Sequence, residues 1–447
     1  MDKKSNLKMV SRRDLLKSML GAAVAPTLLT PAVRLGAQTA AQGTPPAKAI
    51  IQIWMWGGPC NLDTFDPKPD AGEDYSGPFK TPIAAKGKDL YISELLPMLA
   101  KQADRYSIIR SMTHGTNAHE VASYLMQTGH SSSERLVYPS LGAVVSMFKG
   151  YDHGYKGLIP PYIVLTTALG RFSEVGFLGP RYKPFVTGGD PNKTPFAVEG
   201  IIAEGISTQR QSDRRELLGT LDSLGKAMPQ YAEFEKFKQC EQNAYDLILG
   251  DERKVFDLSL EKESLREQYG RNWFGQSCLA ARRLVEHGVP FIAINYNGWD
   301  THKQHFEMMR RKLPEFDKGV ATLLQDLSDR GLLDSTIVTC YGEFGRTPKV
   351  LWESPWNGGR GHYGKCFSAM VAGGGFKGGR VVGASDARGE EVAQRPVTPQ
   401  DLLGSLYQRL GINPDGPLPN PLGLDIPVMP AASKDGEKGG GRLTEIM

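Results

Sequence analysis

Length, composition and charge narrow the kinds of protein that this chain can be. With 447 residues, of which 40% are hydrophobic, it can bury a large core, either as one large α/β domain with insertions or as two domains. The net charge of +4 lies largely in the first 17 residues, so the rest of the chain is close to neutral and offers no basic surface for nucleic acid.

The N-terminus carries the features of an export signal. The pair Arg12-Arg13 is followed by an apolar stretch and then by small residues. The apolar stretch is too short for a stable membrane span, and Pro26 and Pro31 interrupt it. We predict a twin-arginine signal peptide over residues 1–41, which the twin-arginine export machinery recognises and which directs the chain to the periplasm or outside the cell. A chance arginine pair before an apolar helix is the alternative.

Continuous apolar runs predict the strands of a central sheet. They lie at residues 49–56, 106–110, 160–165, 291–296, 336–341 and 367–371. Runs of this kind fit strands that are buried on both faces, as in a mostly parallel sheet covered by helices.

A long amphipathic helix is predicted after His302. Its apolar residues recur every three or four positions, at Phe306, Met309, Leu313, Phe316, Val320, Leu323 and Leu327. This stripe fits a helix that packs on the sheet and joins the runs 291–296 and 336–341 into a βαβ unit with parallel strands.

The composition divides the chain into three parts. The signal peptide is followed by an α/β domain over residues 42–428, with a charged helical insertion over about 212–288. The Gly- and charge-rich residues near the C-terminus predict a disordered tail over residues 429–447.

Polar residues flank the predicted strands at the positions where α/β sheets form ligand sites. Asp300 and His302 follow the fourth run, Glu343 and Arg346 follow the fifth, and His362 precedes the sixth. Asp, Glu and His side chains together suit a divalent metal, and an arginine can bind an anionic group bidentately.

Each of these residues also has a plain structural interpretation. Asp300 is a favourable helix N-cap, and Glu343 can pair with Arg346 three positions later. A histidine such as His362 in a glycine-rich loop is commonly just exposed. Their joint occurrence beside three strands favours a site over three unrelated features.

Two further segments add candidate residues. Thr113 and Thr116 precede a predicted helix over residues 118–127, whose N-terminal N–H groups stabilise anions. They are therefore candidate nucleophiles for phosphoryl or sulfuryl transfer, although Thr116 or Asn117 also suits a plain N-cap. Asp63 follows the first strand, where its carboxylate is either a ligand or part of a turn.

Several motifs resemble those of an exported family called domain of unknown function 1501. They are Trp56-Gly57-Gly58-Pro59, residues 62–69, Gly298-Trp299-Asp300-Thr301-His302, residues 342–348 and Gly361-His362. The order of these elements resembles the alkaline phosphatase and sulfatase superfamily. That resemblance implies a three-layer α/β sandwich, a mostly parallel sheet and a site for one or two metals.

The resemblance also implies metal ligands. Asp300 with His302 or His305 looks like the Asp/His pair of one metal, and His362 looks like a later ligand of the same metal. Glu343 lies where the superfamily has an Asp. Asp63 or Asp66 would supply the carboxylate that many relatives carry directly after the first strand. Zinc, calcium and manganese are not distinguished.

Catalytic roles follow from the same resemblance. The segment from Thr116 to His119 is similar to the start of the nucleophile helix, so Thr116, Thr113 and His119 are catalytic candidates. Arg346 would steady the charge of the transition state. Phe344 departs from the pattern because it occupies the place of a histidine ligand.

The sequence thus supports one main hypothesis and one rival. The main hypothesis is an exported metal-dependent hydrolase of phosphate or sulfate esters, acting on a small-molecule or polysaccharide ester. The rival is a non-catalytic periplasmic binding or scaffold protein on the same fold, which the departure at Phe344 favours.

Overall fold

The structure, a computed structural model, describes residues 46–85, 90–132, 136–168, 175–202, 205–221, 232–430 and 439–447. All of them belong to the unit Gly43–Met447. The predicted signal peptide over residues 1–41 lies outside the described residues. Within the part that the structure describes, no helix has both the length and the apolar character to cross a membrane.

The strands form one large sheet and three small ones. In chain order they are β1 (Ala49–Trp54), β2 (Ile83–Ala84), β3 (Tyr91–Ile92), β4 (Tyr106–Met112), β5 (Tyr162–Leu165), β6 (Phe185–Val186), β7 (Phe291–Asn295), β8 (Thr336–Tyr341), β9 (Gly345–Arg346), β10 (His362–Tyr363), β11 (Phe367–Gly373), β12 (Arg380–Val382), β13 (Ala384–Ser385) and β14 (Val392–Gln394). The large sheet has the order β12–β4–β11–β8–β1–β7–β5–β6. Only β11 runs antiparallel to its neighbours in it, so the predicted mostly parallel sheet is confirmed.

Strand β1 lies at the centre of this sheet and is buried along its whole length. It pairs in parallel with β7 on one side and β8 on the other. Ile51 and Ile53 point into one hydrophobic core, and Ile50 and Trp54 point into the other. Both faces need apolar side chains, which explains the unbroken apolar run in the sequence.

Helices cover both faces of the sheet and complete the three layers. In chain order they are α1 (Glu73–Ser76), α2 (Pro97–Lys101), α3 (His119–Thr128), α4 (Leu141–Lys149), α5 (Thr208–Leu221), α6 (Ala232–Leu249), α7 (Glu263–Tyr269), α8 (Trp273–Glu286), α9 (His305–Asp329) and α10 (Pro399–Arg409). Helices α8 and α9 pack into the core of Ile51, whereas α4 and α10 pack into the core of Ile50. Every apolar residue of the predicted stripe in α9 is buried.

The structure bears on the predicted helical insertion and on the predicted tail. The helical insertion over about 212–288 stays a prediction for its first part, but α8 at its end is a buried component of the core. The predicted disordered tail is wrong for residues 439–447. Leu443 and Ile446 are buried there, and the Lys377 N–H donates to the Ile446 carbonyl at 2.7 Å. Two apolar side chains anchor this segment despite the polar composition around it.

Candidate functional site

Three loops at the carboxyl ends of β1, β7 and β8 meet, and histidine and carboxylate side chains converge there. One ligand atom each from His119, Asp300 and His362 lies within 4.8 Å of the others. The His302 Nε2 atom lies 3.1 Å from the Asp300 Oδ1 atom and so joins the group. We call these four residues the open cluster, since its members are half-buried or exposed.

Two glycines let the loop after β1 touch the loops after β7 and β8. Gly57 follows β1 with a φ of 107°, and a Cβ atom there would lie 2.2 Å from the backbone nitrogen of Asp300. A Cβ atom at Gly58 would lie 2.7 Å from Phe344. No side chain fits at either position. The glycines therefore bring the loops after β1, β7 and β8 into direct contact.

A buried carboxylate orients His119. Glu343 is wholly buried, and its Oε1 atom accepts from His119 Nδ1 at 2.6 Å and from the Gly57 N–H at 2.9 Å. The indole of Trp56 stacks on the same imidazole with centroids 4.8 Å apart. The His119 Nε2 atom then faces Asp300, 3.4 Å from its Oδ2 atom. Glu343 was predicted as a metal ligand, but it lies behind His119 rather than in the cluster.

The imidazole of His362 is oriented in the same way. Its Nδ1 atom donates to the Asn117 carbonyl at 2.9 Å, which leaves the Nε2 lone pair free in the neutral ring. That Nε2 atom lies 3.1 Å from Asp300 Oδ1 and 2.9 Å from His302 Nε2. Two ring nitrogens this close share either one proton or one cation.

Arg346 supplies positive charge directly behind the cluster. Its guanidinium is wholly buried, and Nη2 donates to Asp300 Oδ1 and to the Gly57 carbonyl. Arg346 therefore pairs with Asp300, and the alternative pairing with Glu343 is wrong. Asp300 is also not a helix cap, because α9 begins five residues later with Gln304 as its N-cap.

The charges of the cluster shift the pKa values of its members. Burial alone would raise the pKa of Asp300, but the Arg346 guanidinium outweighs it and holds that pKa below its usual value. Burial disfavours the charged ring of His119, yet the carboxylates of Glu343 and Asp300 together outweigh it and raise the pKa of His119. Burial lowers the pKa of His302 despite the nearby Asp300. His302 thus favours the neutral form that binds metals.

Phe344 occupies the position at which the resemblance implied a further histidine ligand. Its ring is wholly buried and stacks on His362 with centroids 4.7 Å apart. It also packs against His119 at 4.9 Å. An aromatic ring at this position supplies no donor atom, so the open cluster is the set of ligands that remains.

A second polar cluster lies buried next to the first. The Asp63 carboxylate is wholly buried, with Oδ2 lying 2.7 Å from His305 Nε2 and 2.9 Å from Arg360 Nε. The His305 Nδ1 atom bonds to Thr301 Oγ1 at 2.5 Å. Cys60 lies beside the same carboxylate, and burial raises the pKa of its thiol. Burial opposes ionisation of Asp63, but Arg360 and His305 outweigh it and lower the pKa of that carboxyl.

Two residues that were predicted as metal ligands lie in the second cluster and not in the open cluster. Asp63 was predicted to join Asp300, but its contacts within the described residues are to Arg360, His305 and Cys60. His305 was the alternative to His302, and it binds Asp63 instead. The guanidinium of Arg360 already supplies a positive charge to the Asp63 carboxylate. No local pattern marks this arrangement, because Asp63 and His305 are 242 positions apart in the sequence.

The two candidate nucleophiles differ in exposure. Thr113 is buried, and its N–H donates to the Val397 carbonyl at 3.0 Å. Thr116 is half-buried, and its Oγ1 atom accepts from the Ala118 N–H at 3.3 Å. Helix α3 begins at His119 with Ala118 as its N-cap, so neither Thr116 nor Asn117 caps it. Of the two threonines, Thr116 is the more accessible and adjoins Asn117, whose carbonyl holds His362.

Comparisons with known proteins give a family match and distant structural similarity. The model of a family described as "Protein of unknown function (DUF1501)" matches residues 47–434. No curated protein matches the chain. The alkaline phosphatase from the Antarctic bacterium TAB5 is similar with a TM-score of 0.39 and 10% identity, over 82% of this chain and 99% of that one. The PsFucS1 sulfatase from Pseudoalteromonas sp. is similar with a TM-score of 0.36 and 13% identity, over 82% of this chain and 68% of that one.

Proposed function

Because this chain belongs to the DUF1501 family, whose members are described only as proteins of unknown function, we propose its activity from its own site. The protein is an exported hydrolase of phosphate or sulfate esters that uses one divalent metal. The observation that carries the proposal is the open cluster, in which three imidazole Nε2 atoms surround the carboxylate of Asp300.

The donors of the open cluster fit a divalent metal. Neutral imidazole and carboxylate are common ligands of zinc and related ions. Metal-binding histidines commonly donate their second ring nitrogen to a protein oxygen, as His119 does to Glu343 and His362 does to Asn117. His119, Asp300, His302 and His362 would therefore hold the ion. Glu343 would not contact the ion but would orient His119 through its hydrogen bond to Nδ1.

The bound metal would supply a Lewis acid that polarises the ester oxygen and helps to neutralise its charge. The residues of the chain would do the rest. Arg346 is held in place by the Gly57 and Gly58 carbonyls, so its positive charge is fixed beside Asp300. Such a fixed charge favours an anionic phosphate or sulfate group and its transition state. Thr116 is the proposed nucleophile, because it is half-buried at the segment that leads into α3.

The rival function is binding of an oxyanion ester without turnover. Two observations favour it. Arg346 already bonds to the Asp300 carboxylate, which competes with a cation for that oxygen. Phe344 also occupies the place of a further ligand. A binding protein would keep the pocket and the positive charge but would lack the second donor set.

The test combines metal analysis with an ester panel. Protein purified from the periplasmic fraction is expected to contain about one divalent metal per chain and to hydrolyse a phosphate monoester, a phosphodiester or a sulfate ester. Asp300→Ala is expected to lose both, whereas Asp334→Ala, an exposed aspartate, is expected to lose neither. Recovery in the cytoplasm alone would contradict export. A metal-free wild type with no turnover would contradict the hydrolase, and ester binding without turnover would support the rival.

A further inference from the structure

A cavity lies at the carboxyl ends of β5 and β7. Its volume is about 350 Å³, and its polar and aromatic lining consists of Thr166, Thr167, Asp190, Trp273, Asn295 and Asn297. Asn295 is the last residue of β7 and pairs with Trp54 of β1. The loops that follow these two paired strands carry Gly57 and Asp300. The cavity and the open cluster therefore share one edge of the sheet.

Asn295 contributes a buried acceptor without a partner. The residue is 3% exposed, and its Nδ2 group donates to the Thr167 carbonyl. Among the described residues, its Oδ1 atom has no hydrogen-bond partner. Buried amide oxygens are nearly always bonded. A hydroxyl donor in the cavity that Asn295 lines would satisfy this atom.

The backbone beside Asn295 is strained. Thr166 has a φ of 68°, which is unusual for a β-branched residue. Two hydrogen bonds hold it there, since its N–H donates to Thr187 Oγ1 at 2.9 Å and its carbonyl accepts from the Gly188 N–H at 2.9 Å. Backbone strain of this kind concentrates at ligand sites, and here it shapes one wall of the cavity.

The remaining walls indicate the ligand class. Trp273 presents a half-exposed indole, while the Asn297 amide and the Asp190 carboxylate offer donors and acceptors. An aromatic face beside amide and carboxylate groups matches a sugar ring, whose C–H face is apolar and whose hydroxyls both donate and accept. None of the described residues that line the cavity is basic, so none of them offers a positively charged partner to a phosphate or sulfate group.

We propose that this cavity binds a neutral sugar unit. Its volume lies at the lower end of the range of about 300–1,000 Å³ for ligand sites, which suits one sugar ring. Resting on the proposed function, the inference makes the substrate a sugar ester. The open cluster would hold the ester group, and the cavity would hold a neighbouring uncharged ring.

Binding of methyl glycosides of neutral hexoses tests this assignment. Calorimetric titration of the full protein is expected to show saturable binding at millimolar concentrations. Trp273→Ala and Asn297→Ala are each expected to weaken it by about tenfold, the effect of about 1.4 kcal/mol. Trp352→Ala replaces another exposed tryptophan outside the cavity and is expected to leave it unchanged. Thermal melting checks that each variant is folded. Because Asn297 is exposed and Trp273 is partly buried, Asn297→Ala disturbs folding less than Trp273→Ala.

The outcomes separate this inference from the proposed hydrolysis. Asp300→Ala is expected to bind the glycosides as the wild type does, whether or not the wild type hydrolyses esters. No saturable binding by the wild type, or binding in both cavity variants as tight as in the wild type, overturns the sugar site and leaves the proposed hydrolase unaffected. Binding of nucleosides instead of glycosides also overturns it. Loss of glycoside binding in Asp300→Ala would place the sugar in the open cluster and contradict a separate cavity.

Discussion

Glu343 is a wholly buried carboxylate whose two oxygens have different surroundings. Its Oε1 atom accepts from His119 and Gly57, whereas its Oε2 atom has no hydrogen-bond partner among the described residues. A buried carboxylate oxygen without a partner costs free energy of folding. Stability therefore does not account for Glu343, and we attribute its presence to the orientation of the His119 ring.

The change Glu343→Gln tests that role. We expect divalent-metal affinity to fall by about 10–100-fold, because a neutral amide no longer raises the basicity of His119. Competition with a metal-binding indicator dye measures the affinity. Glu353→Gln, an exposed glutamate, provides the control. Equal affinities of Glu343→Gln and the wild type would show that His119 does not depend on the carboxylate.

Asp63 is expected to act on stability. The change Asp63→Asn leaves Arg360 buried without its negative partner, and breaking such a buried pair costs about 3–5 kcal/mol. Urea denaturation followed by circular dichroism measures the loss. Lys80→Ala breaks the exposed pair with Glu73 and is expected to change the free energy of unfolding by less than about 0.5 kcal/mol. A loss of unfolding free energy for Asp63→Asn no larger than that of the control would contradict a stabilising role of the buried ion pair.

Among the elements, the loop after β1 governs the geometry of the site. It touches the backbone of the loop after β7 at Gly57 and the ring of Phe344 at Gly58. Any displacement of this loop therefore moves Asp300 and the ring that packs against His119 and His362. The open cluster depends on backbone contact as much as on its own side chains.

The change Gly57→Ala separates contact from backbone conformation. We expect it to displace Asp300 and abolish metal binding, because its Cβ atom would collide with the Asp300 backbone. Gly154 also has a positive φ, of 90°, but a Cβ atom there would meet nothing within 4 Å. Gly154→Ala thus carries only the conformational cost of about 1 kcal/mol. Metal analysis and thermal melting compare the two variants. Metal retained in Gly57→Ala would contradict the claim that contact between these loops positions Asp300.

Strands were predictable from the sequence to a greater degree than side-chain partners. The run 336–341 matches β8 and the run 291–296 exceeds β7 by one residue, since burial on both faces leaves a local apolar signal. The partner of Asp63 leaves no such signal. The local sequence around His119 predicts only the start of a helix. The position of His119 beside Asp300 depends on contacts between loops that are distant in the sequence. The sequence located the loops, and the sheet order decided which side chains meet.

At the scale of the whole molecule, stability is expected to fall in acid because of His130. Burial lowers the pKa of His130 to about 4, against about 6.5 in an unfolded chain. The unfolded state therefore binds more protons between these values, and stability present above pH 6.5 is lost as the pH falls towards 4. The loss reaches at most about 3 kcal/mol.

Denaturation at several pH values measures this dependence. His130→Gln is expected to flatten the change in unfolding free energy between pH 6.5 and 4, since it removes the titrating ring. His153→Gln, which replaces an exposed histidine, is expected to keep the slope of the wild type. Equal slopes in all three proteins would assign the acid sensitivity to other groups.

The position of β1 also has a consequence for how the chain folds. Ile51 pairs with Ile292 and Val338. Strand β1 therefore gains its two neighbours only after more than 240 further residues have been synthesised. Contacts this distant in sequence slow folding and leave apolar strands exposed meanwhile. The centre of the sheet can form only after residue 341 has left the ribosome, and the open cluster only after His362 has followed.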